Sequence, residues 1–268
     1  MAVPSDLAGL TELLASEGFV AAGEEAEELL ERAAGDGALL DGLVARRLTG
    51  EPLAWITGRE LFCGIEIRVD PGVYVPRWQS EQLALRAVDR LPPDGTAIDV
   101  CSGCGAIARV LSHAHPGARV VATESDERAL VNARANGVEV YEGDLLEPLP
   151  RALEGEVDVL VGVVPYVPTP ELSLLQRDTF TFETALSYDG GVDGTRFLRR
   201  VLTDGTRFLR RGGAVLLELG GEQAELLRDD LARLGYADVE VVSDEFGDVR
   251  GVEAVLTVPG RTPRTPSR

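Results

Sequence analysis

Twenty-six arginines, no lysine and 45 acidic residues give this 268-residue chain a formal charge of −19. A surface of that sign repels phosphate backbones, which argues against nucleic acid as a direct substrate. The missing lysine excludes Schiff-base and lysine-nucleophile chemistry.

Apolar residues make up 44% of the chain, enough for one large domain or one domain with a small extension. Three cysteines do not make a disulfide framework. The start, MAVPSDLAGLTELLASEG, lacks the basic region and long apolar run of a signal peptide. No apolar stretch reaches the roughly 18 residues that a membrane span needs. A soluble cytoplasmic protein is expected, with no membrane and no nucleic-acid partner. No metal is expected either, because Cys63, His113 and His115 offer no second paired motif.

Residues 1–50 read as a small N-terminal helical domain. Leu7, Leu10, Leu13 and Leu14 recur at helical spacing behind Ser5, the expected N-cap, and residues 24–34 and 38–48 repeat the pattern. Nine acids and one arginine fall within residues 1–36. They predict a solvated helical face or, alternatively, a docking face for a basic partner. Residues 51–77 form a linker. Within it LFCGIEIRVDPGVYVPR alternates apolar and polar positions around Asp70-Pro71-Gly72, which predicts a β-hairpin.

Residues 78–258 carry the third region. From Thr96 the strands TAIDVC, ARVVATE, VEVYEG, VDVLVG and AVLLELG alternate with helices at roughly 105–114, 126–136, 193–210 and 222–234. Such alternation predicts an α/β domain with a mainly parallel, doubly wound sheet. GTRFLRR occurs at 194–200 and again at 205–211, an offset of eleven residues or about three helical turns. Both copies are expected on one helix ending at Gly212-Gly213, with an Arg-rich docking face as the functional alternative. The end, 259–268, has no acids and three prolines, and reads as a disordered tail.

The strand TAIDVC runs into Ser102-Gly103-Cys104-Gly105, and a helix follows. Glycines there let a ligand approach the backbone, and the helix N-terminus favours a negative group. Glu124, at the end of the next strand, is placed to accept both ribose hydroxyls of an adenosine. In Glu142-Gly143-Asp144-Leu145, Asp144 is placed to take the adenine amino group and Leu145 to cover the base. Together, in this order, these features point to an adenosine-bearing ligand. The loop is not G-x-G-x-x-G, which disfavours a nicotinamide dinucleotide and therefore a dehydrogenase. It favours S-adenosylmethionine, whose carboxylate needs less room than a pyrophosphate. Cys101-Ser102-Gly103-Cys104 is also a C-x-x-C in a thioredoxin-type context, but thioredoxin-like chains are much shorter and give Glu124 and Asp144 no role.

Over about residues 40–258 the chain resembles the protein-(glutamine-N5) methyltransferases that modify peptide-chain release factors, especially an actinobacterial-type group related to them. RRLTGEPLAWITGRELFCGIEIRVDPGVYVPR is similar to the family's stretch before its catalytic domain. AIDVCSGCGAIA is similar to its cofactor loop and VATESDERALVNARAN to its ribose-acid segment. FETAL and DGGVDGTRFLRRV resemble a segment after the active-site loop, and LLELGGEQ has a counterpart. The resemblance implies a Rossmann-like class I S-adenosylmethionine-dependent methyltransferase. It implies cofactor contacts from Arg77, Asp99, Cys101, Ser102, Gly103, Cys104, Gly105, Glu124, Ser125, Asp144 and Leu145.

The resemblance also places the family's catalytic Asn-Pro-Pro-Tyr signature on Val163, Val164, Pro165 and Tyr166, so the polar residue is lost. Cys101 stands at a usual Gly and Glu124 at a usual Asp. Gln79 replaces an acid in Pro76-Arg77-Trp78-Gln79-Ser80-Glu81.

An amide nitrogen is a poor nucleophile because its lone pair is delocalised. In the family, the Asn oxygen and a neighbouring backbone carbonyl accept the amide hydrogens and turn that lone pair toward the methyl carbon. Val163 has no side-chain acceptor, a loss expected to cost about 2–4 kcal/mol, or roughly 30- to 1000-fold in rate. The leading expectation is therefore an altered acceptor, an amine or hydroxyl of a small molecule or modified peptide. One alternative is a protein glutamine N5-methyltransferase acting on a release factor or similar protein. Another is a non-catalytic S-adenosylmethionine-binding interaction module. A closed apolar pocket beside Val163 and Trp78 would mark the first. An open groove between the N-terminal helices and Tyr166 would mark the second. A cofactor cleft blocked by Leu145 or by the loop would mark the third. Nothing in the sequence indicates an oligomeric state.

Overall fold

Asp6 and Asp36 start two N-terminal helices, their Oδ1 atoms accepting the backbone N–H of Gly9 and Leu39, both at 3.0 Å. The helices are α1 (Leu7–Ser16) and α3 (Gly37–Arg47), with α2 (Ala22–Ala33) between them and the short α4 (Leu53–Thr57) after. The first cap is Asp6 rather than Ser5, one residue later than the sequence suggested. Leu10, Leu14, Leu29, Leu40 and Val44 close on Ile56 of α4 to form a core of their own. The structure, a computed structural model, describes residues 3–175, 182–183 and 187–257. The tail at 259–268 lies outside the described residues. No helix among the described residues is long and apolar enough to cross a membrane.

The hairpin exists, but it turns elsewhere. β1 (Arg59–Phe62) and β2 (Ile65–Arg68) pair antiparallel, with Phe62 opposite Ile65. The turn is therefore Cys63-Gly64, not Asp70-Pro71-Gly72. Cys63 at φ 50° and Gly64 at φ 73° are both left-handed, as the tightest two-residue hairpin loop requires. Asp70 makes its own turn downstream, its carbonyl accepting from Val73 N at 3.1 Å.

Seven strands form the main sheet, in the order β5-β4-β3-β6-β7-β9-β8. They are β3 (Thr96–Val100), β4 (Arg119–Glu124), β5 (Glu139–Glu142), β6 (Val157–Gly162), β7 (Leu209–Glu218), β8 (Tyr236–Ser243) and β9 (Val249–Leu256). β3 to β7 run parallel, whereas β9 pairs antiparallel with β7 and with β8. The last two strands add an antiparallel edge that the sequence reading did not contain. The helices are α5 (Glu81–Arg90), α6 (Ala106–Ala114), α7 (Glu127–Ala135), α8 (Arg196–Phe208), α9 (Gln223–Leu226) and α10 (Arg228–Leu234). Ile98, Val100, Leu160, Leu198, Val215 and Leu217 share one core cluster, and Ala97, Leu83, Val110, Val159 and Leu216 share another.

The GTRFLRR repeat does not lie on one helix. The second copy leaves α8 at Phe208 and enters β7 at Leu209, because Leu209 pairs with Val157 of β6. Four of the repeat's six arginines are ion-paired to neighbouring acids. Arg199 pairs with Asp193 and Asp230, Arg200 with Asp144, Arg207 with Glu154 and Arg210 with Asp158.

A buried acid ties the antiparallel edge to α5. Glu253 of β9 is 1% exposed and pairs with Arg86 at 2.7 Å and with Arg90. Arg86 and Arg90 reach solvent and stay hydrated without Glu253, so its removal costs the charge-assisted hydrogen bonds alone, about 1.5–3 kcal/mol. Glu253→Ala is expected to lower the urea midpoint accordingly. An unchanged midpoint would show that this pair contributes nothing to the edge.

Candidate functional site

β3 leads outward to β4 and β5, while β6 leads the other way to β7. Their carboxyl ends therefore open a crevice at the point where the strand order reverses, the usual ligand position in an α/β sheet. Val100 pairs with Gly162 across it. A Cβ at Gly162 would lie 2.4 Å from Val100 Cγ1 and 2.5 Å from its carbonyl oxygen. Glycine there lets the loop after β6 lie directly beside the loop after β3.

A cavity of about 300 Å³ fills the crevice. Asp99, Cys101, Ser102, Gly103, Cys104, Glu124 and Ser125 line one side, and Val163 and Pro165 line another. Glu124 is held by three backbone donors, Gly103 N at 2.8 Å, Ser125 N at 2.7 Å and Asp126 N at 2.9 Å. Asp99 is buried and accepts from Ala108 N at 3.0 Å. Burial pushes its carboxyl up to about 7, against the Ala108 bond and with help from Glu124. A cationic group entering the cavity would draw it back to the charged form. Ser102 Oγ is buried with no hydrogen-bond partner. Nothing lies within 4 Å of where a Cβ at Gly103 would sit, so a ligand has room to reach that backbone. An unpartnered hydroxyl, two carboxylates and an open glycine backbone fit a ligand with a ribose and a cationic amino-acid end.

The loop carries strain and no redox chemistry. Cys101 adopts φ 57°, a left-handed conformation that costs a non-glycine residue about 1–2 kcal/mol. Burial pushes the Cys104 thiol up to about 12 and that of Cys101 higher still. Neither is a thiolate at neutral pH, so the C-x-x-C lacks the nucleophile of a thioredoxin-type pair.

Four residues singled out from the sequence lie outside this wall. Gly105 packs away from the cavity, where a Cβ would meet Val138 Cγ2 at 2.7 Å. Leu145 is 3% exposed inside the main core. Asp144 is ion-paired with Arg200 at 2.8 Å. Arg77 lines a different cavity.

That second cavity holds about 650 Å³ and opens between the N-terminal helices and the loop after β6. Arg47, Pro52, Glu60 and Trp78 form one side, and Val164, Tyr166 and Glu218 the other. Glu183 is 5% exposed and accepts from Val75 N at 3.1 Å, from Arg77 Nη2 at 2.6 Å and from the Tyr188 hydroxyl. Burial, with Glu28 adding its charge and Arg77 opposing, pushes the Glu60 carboxyl up to about 7. Burial also raises Glu218 above the usual carboxylate range.

Val163-Val164-Pro165-Tyr166 is a clamped loop rather than a simple strand end. Val164 is buried in the core, and Val163 packs half-buried on the opposite side. The Tyr166 hydroxyl donates to Glu218 Oε1 at 2.9 Å, and its carbonyl accepts from Gln223 Nε2 at 2.6 Å. Val167 N donates to Tyr188 O at 2.8 Å, and Gly190 N donates back to Val167 O at 2.9 Å. Tyr74, Val163 and Ser187 line both cavities, so the two meet there.

Sequence reasoning did not single out Glu60, Tyr74, Glu183 or Glu218. Glu183 and Glu218 sit in FETAL and LLELGGEQ, so the family resemblance was a signal for them. Glu60 and Tyr74 sit in the linker RRLTGEPLAWITGRELFCGIEIRVDPGVYVPR, where the resemblance covers the whole stretch and marks neither residue in particular. The rest of FETAL, residues 184–186, lies outside the described residues.

No family model matches the chain. It is 35% identical over 212 residues to the release factor glutamine methyltransferase of Geobacter sulfurreducens, covering 77% of this chain and 74% of that protein. It is 36% identical over 215 residues to the one from Moorella thermoacetica, covering 76% and 75%. Among solved structures, a methyltransferase from Pyrococcus furiosus superposes with a TM-score of 0.56 at 21% identity, over 81% of this chain and all of that one. That likeness speaks for the fold alone.

Proposed function

Because the chain belongs to the release factor glutamine methyltransferase family, S-adenosylmethionine-dependent enzymes of class I fold, we propose that it methylates the side-chain amide nitrogen of a glutamine in a protein, a release factor foremost. The observation that carries this is the groove. It opens between the N-terminal helices and Tyr166, and it joins the cofactor cleft at Val163. A glutamine side chain from a docked loop has a route through it to the methyl group. This function places the protein in the cytoplasm, with its acceptor protein as partner.

The small-molecule acceptor that the Val163 replacement suggested finds less support. It called for a closed apolar pocket beside Val163 and Trp78, but Trp78 is 63% exposed at the rim of an open, carboxylate-lined groove. A non-catalytic module called for a blocked cleft. Leu145 is packed into the core instead, and the cavity beside it is clear.

S-adenosylmethionine supplies, when bound, an electrophilic methyl group on a sulfonium. Glu124 would receive its ribose hydroxyls, and Asp99, Ser102 and the Gly103 backbone its amino-acid end. The chain's own contribution to transfer is positioning, with little acid–base chemistry. Val163 presents a smooth apolar wall where the two cavities meet. Tyr166, fixed through Glu218 and Gln223, offers a ring against which the acceptor side chain packs.

Trp78 at the rim is an anchor for the acceptor's backbone. Losing an exposed aromatic anchor costs about 1–2 kcal/mol of binding. Trp78→Ala is expected to raise KM for a release factor about tenfold and leave S-adenosylhomocysteine affinity unchanged. An unaltered KM for the protein would argue that this groove does not receive it.

A further inference from the structure

Methylating a glutamine amide requires its nitrogen lone pair to leave conjugation and face the methyl carbon. Fixed acceptors for the two N–H bonds, at the place where donor and acceptor meet, favour that geometry. Three residues line both cavities: Tyr74, Val163 and Ser187. Val163 carries no acceptor, and loop carbonyls supply at most part of the set.

Tyr74 is held rigidly. Its neighbours Val73 and Val75 are 1% and 5% exposed, and the alternation turns the tyrosine toward the cavities. The Val73 carbonyl accepts from Trp55 Nε1 at 2.8 Å, and Val75 N donates to Glu183 Oε1 at 3.1 Å. The Tyr74 ring meets Tyr188 edge-on with centroids 5.7 Å apart, and the Arg77 guanidinium carbon lies 5.2 Å from its centroid. Burial raises the phenol above its ordinary range, with the Arg77 charge and a hydrogen bond from its guanidinium opposing, so the group stays a neutral hydroxyl with one lone pair taken by Arg77 and one to offer. Ser187 has no comparable clamp among the described contacts.

We infer that the Tyr74 hydroxyl accepts the glutamine amide hydrogen that Val163 cannot, and so completes the acceptor site. This rests on the glutamine methylation proposed above. In the transfer the nitrogen lone pair forms the N–C bond. The C–S bond breaks with its electron pair passing to sulfur, and the cationic amide releases one proton to water in the open groove.

The test measures kcat and KM with a release factor, and S-adenosylhomocysteine affinity, for the wild type, Tyr74→Phe, Ser187→Ala, Val163→Asn and the double variant Tyr74→Phe/Val163→Asn. Tyr74→Phe is expected to lower kcat about 30-fold or more, with KM and cofactor affinity held. Val163→Asn should restore most of that loss in the double variant. Ser187→Ala should stay near wild type. An indifferent Tyr74→Phe, a loss that Val163→Asn does not recover, or a loss seen only in Ser187→Ala overturns the inference. A wild type that transfers no methyl to glutamine sinks the proposed function and this inference with it. An active wild type with an indifferent Tyr74→Phe sinks the inference alone.

Discussion

Glu124→Ala is expected to weaken S-adenosylmethionine and S-adenosylhomocysteine binding a hundredfold or more. The carboxylate would accept two ribose hydroxyls, and hydrogen bonds to a charged acceptor are worth about 1.5–3 kcal/mol each. The same carboxylate gathers the backbone N–H groups of Gly103, Ser125 and Asp126, so its loss also loosens the loop that cradles the ligand. Glu124→Gln keeps one acceptor oxygen and should fall between the two. Calorimetry checks this, with thermal melting to show that the variants remain folded. Wild-type affinity in a folded Glu124→Ala protein would mean that the adenosine lies elsewhere.

Gly194→Ala attacks the other half of the site. Gly194 adopts φ 73°, and a Cβ there would sit 2.1 Å from both Gln223 Nε2 and the Tyr166 carbonyl oxygen. The glutamine side chain can swing away, but the carbonyl belongs to the loop and must move with it. Misplacing reacting groups by about 1 Å costs roughly a hundredfold in rate. Methyl transfer to the protein acceptor should fall by that much, while cofactor affinity, set across the cleft by Glu124, holds. Unchanged turnover would show that the seating of Tyr166 has no bearing on the acceptor.

The strand–loop–strand wall of the first cavity was legible in the sequence because it is local, whereas Arg77, Gly105, Asp144 and Leu145 fall outside that wall. TAIDVC, the Ser102–Gly105 loop and Glu124 lie on consecutive strand–helix units, and the order of the units fixes their meeting. The acceptor half was legible only at Val163 to Tyr166, through the family resemblance. Glu60, Tyr74, Tyr166, Glu183 and Glu218 come from five separate segments that only the folded chain brings together.

The fold divided in a similar way. β3, β4, β6 and β7 are largely buried strands with apolar runs, and the exposed edge strand β5 was placed by its turn in the strand–helix alternation. β8 lies at the edge with Val239 and Val241 about half exposed, and its period does not announce a core. α5 buries only Leu83, Ala84 and Ala87 amid charged residues, so its apolar face was too short to read. The second GTRFLRR copy misled because its composition suits a helix, while pairing of Leu209 with β6 decides for a strand. Tertiary pairing overrode local preference there.

Methyl transfer to a protein glutamine is directly measurable. The most direct measurement incubates the purified protein with methyl-labelled S-adenosylmethionine and an unmethylated release factor, then locates the label by peptide mass spectrometry. One labelled methyl is expected on a glutamine side-chain nitrogen, lost in Glu124→Ala. Cofactor binding with no label on any glutamine of the release factor would contradict it.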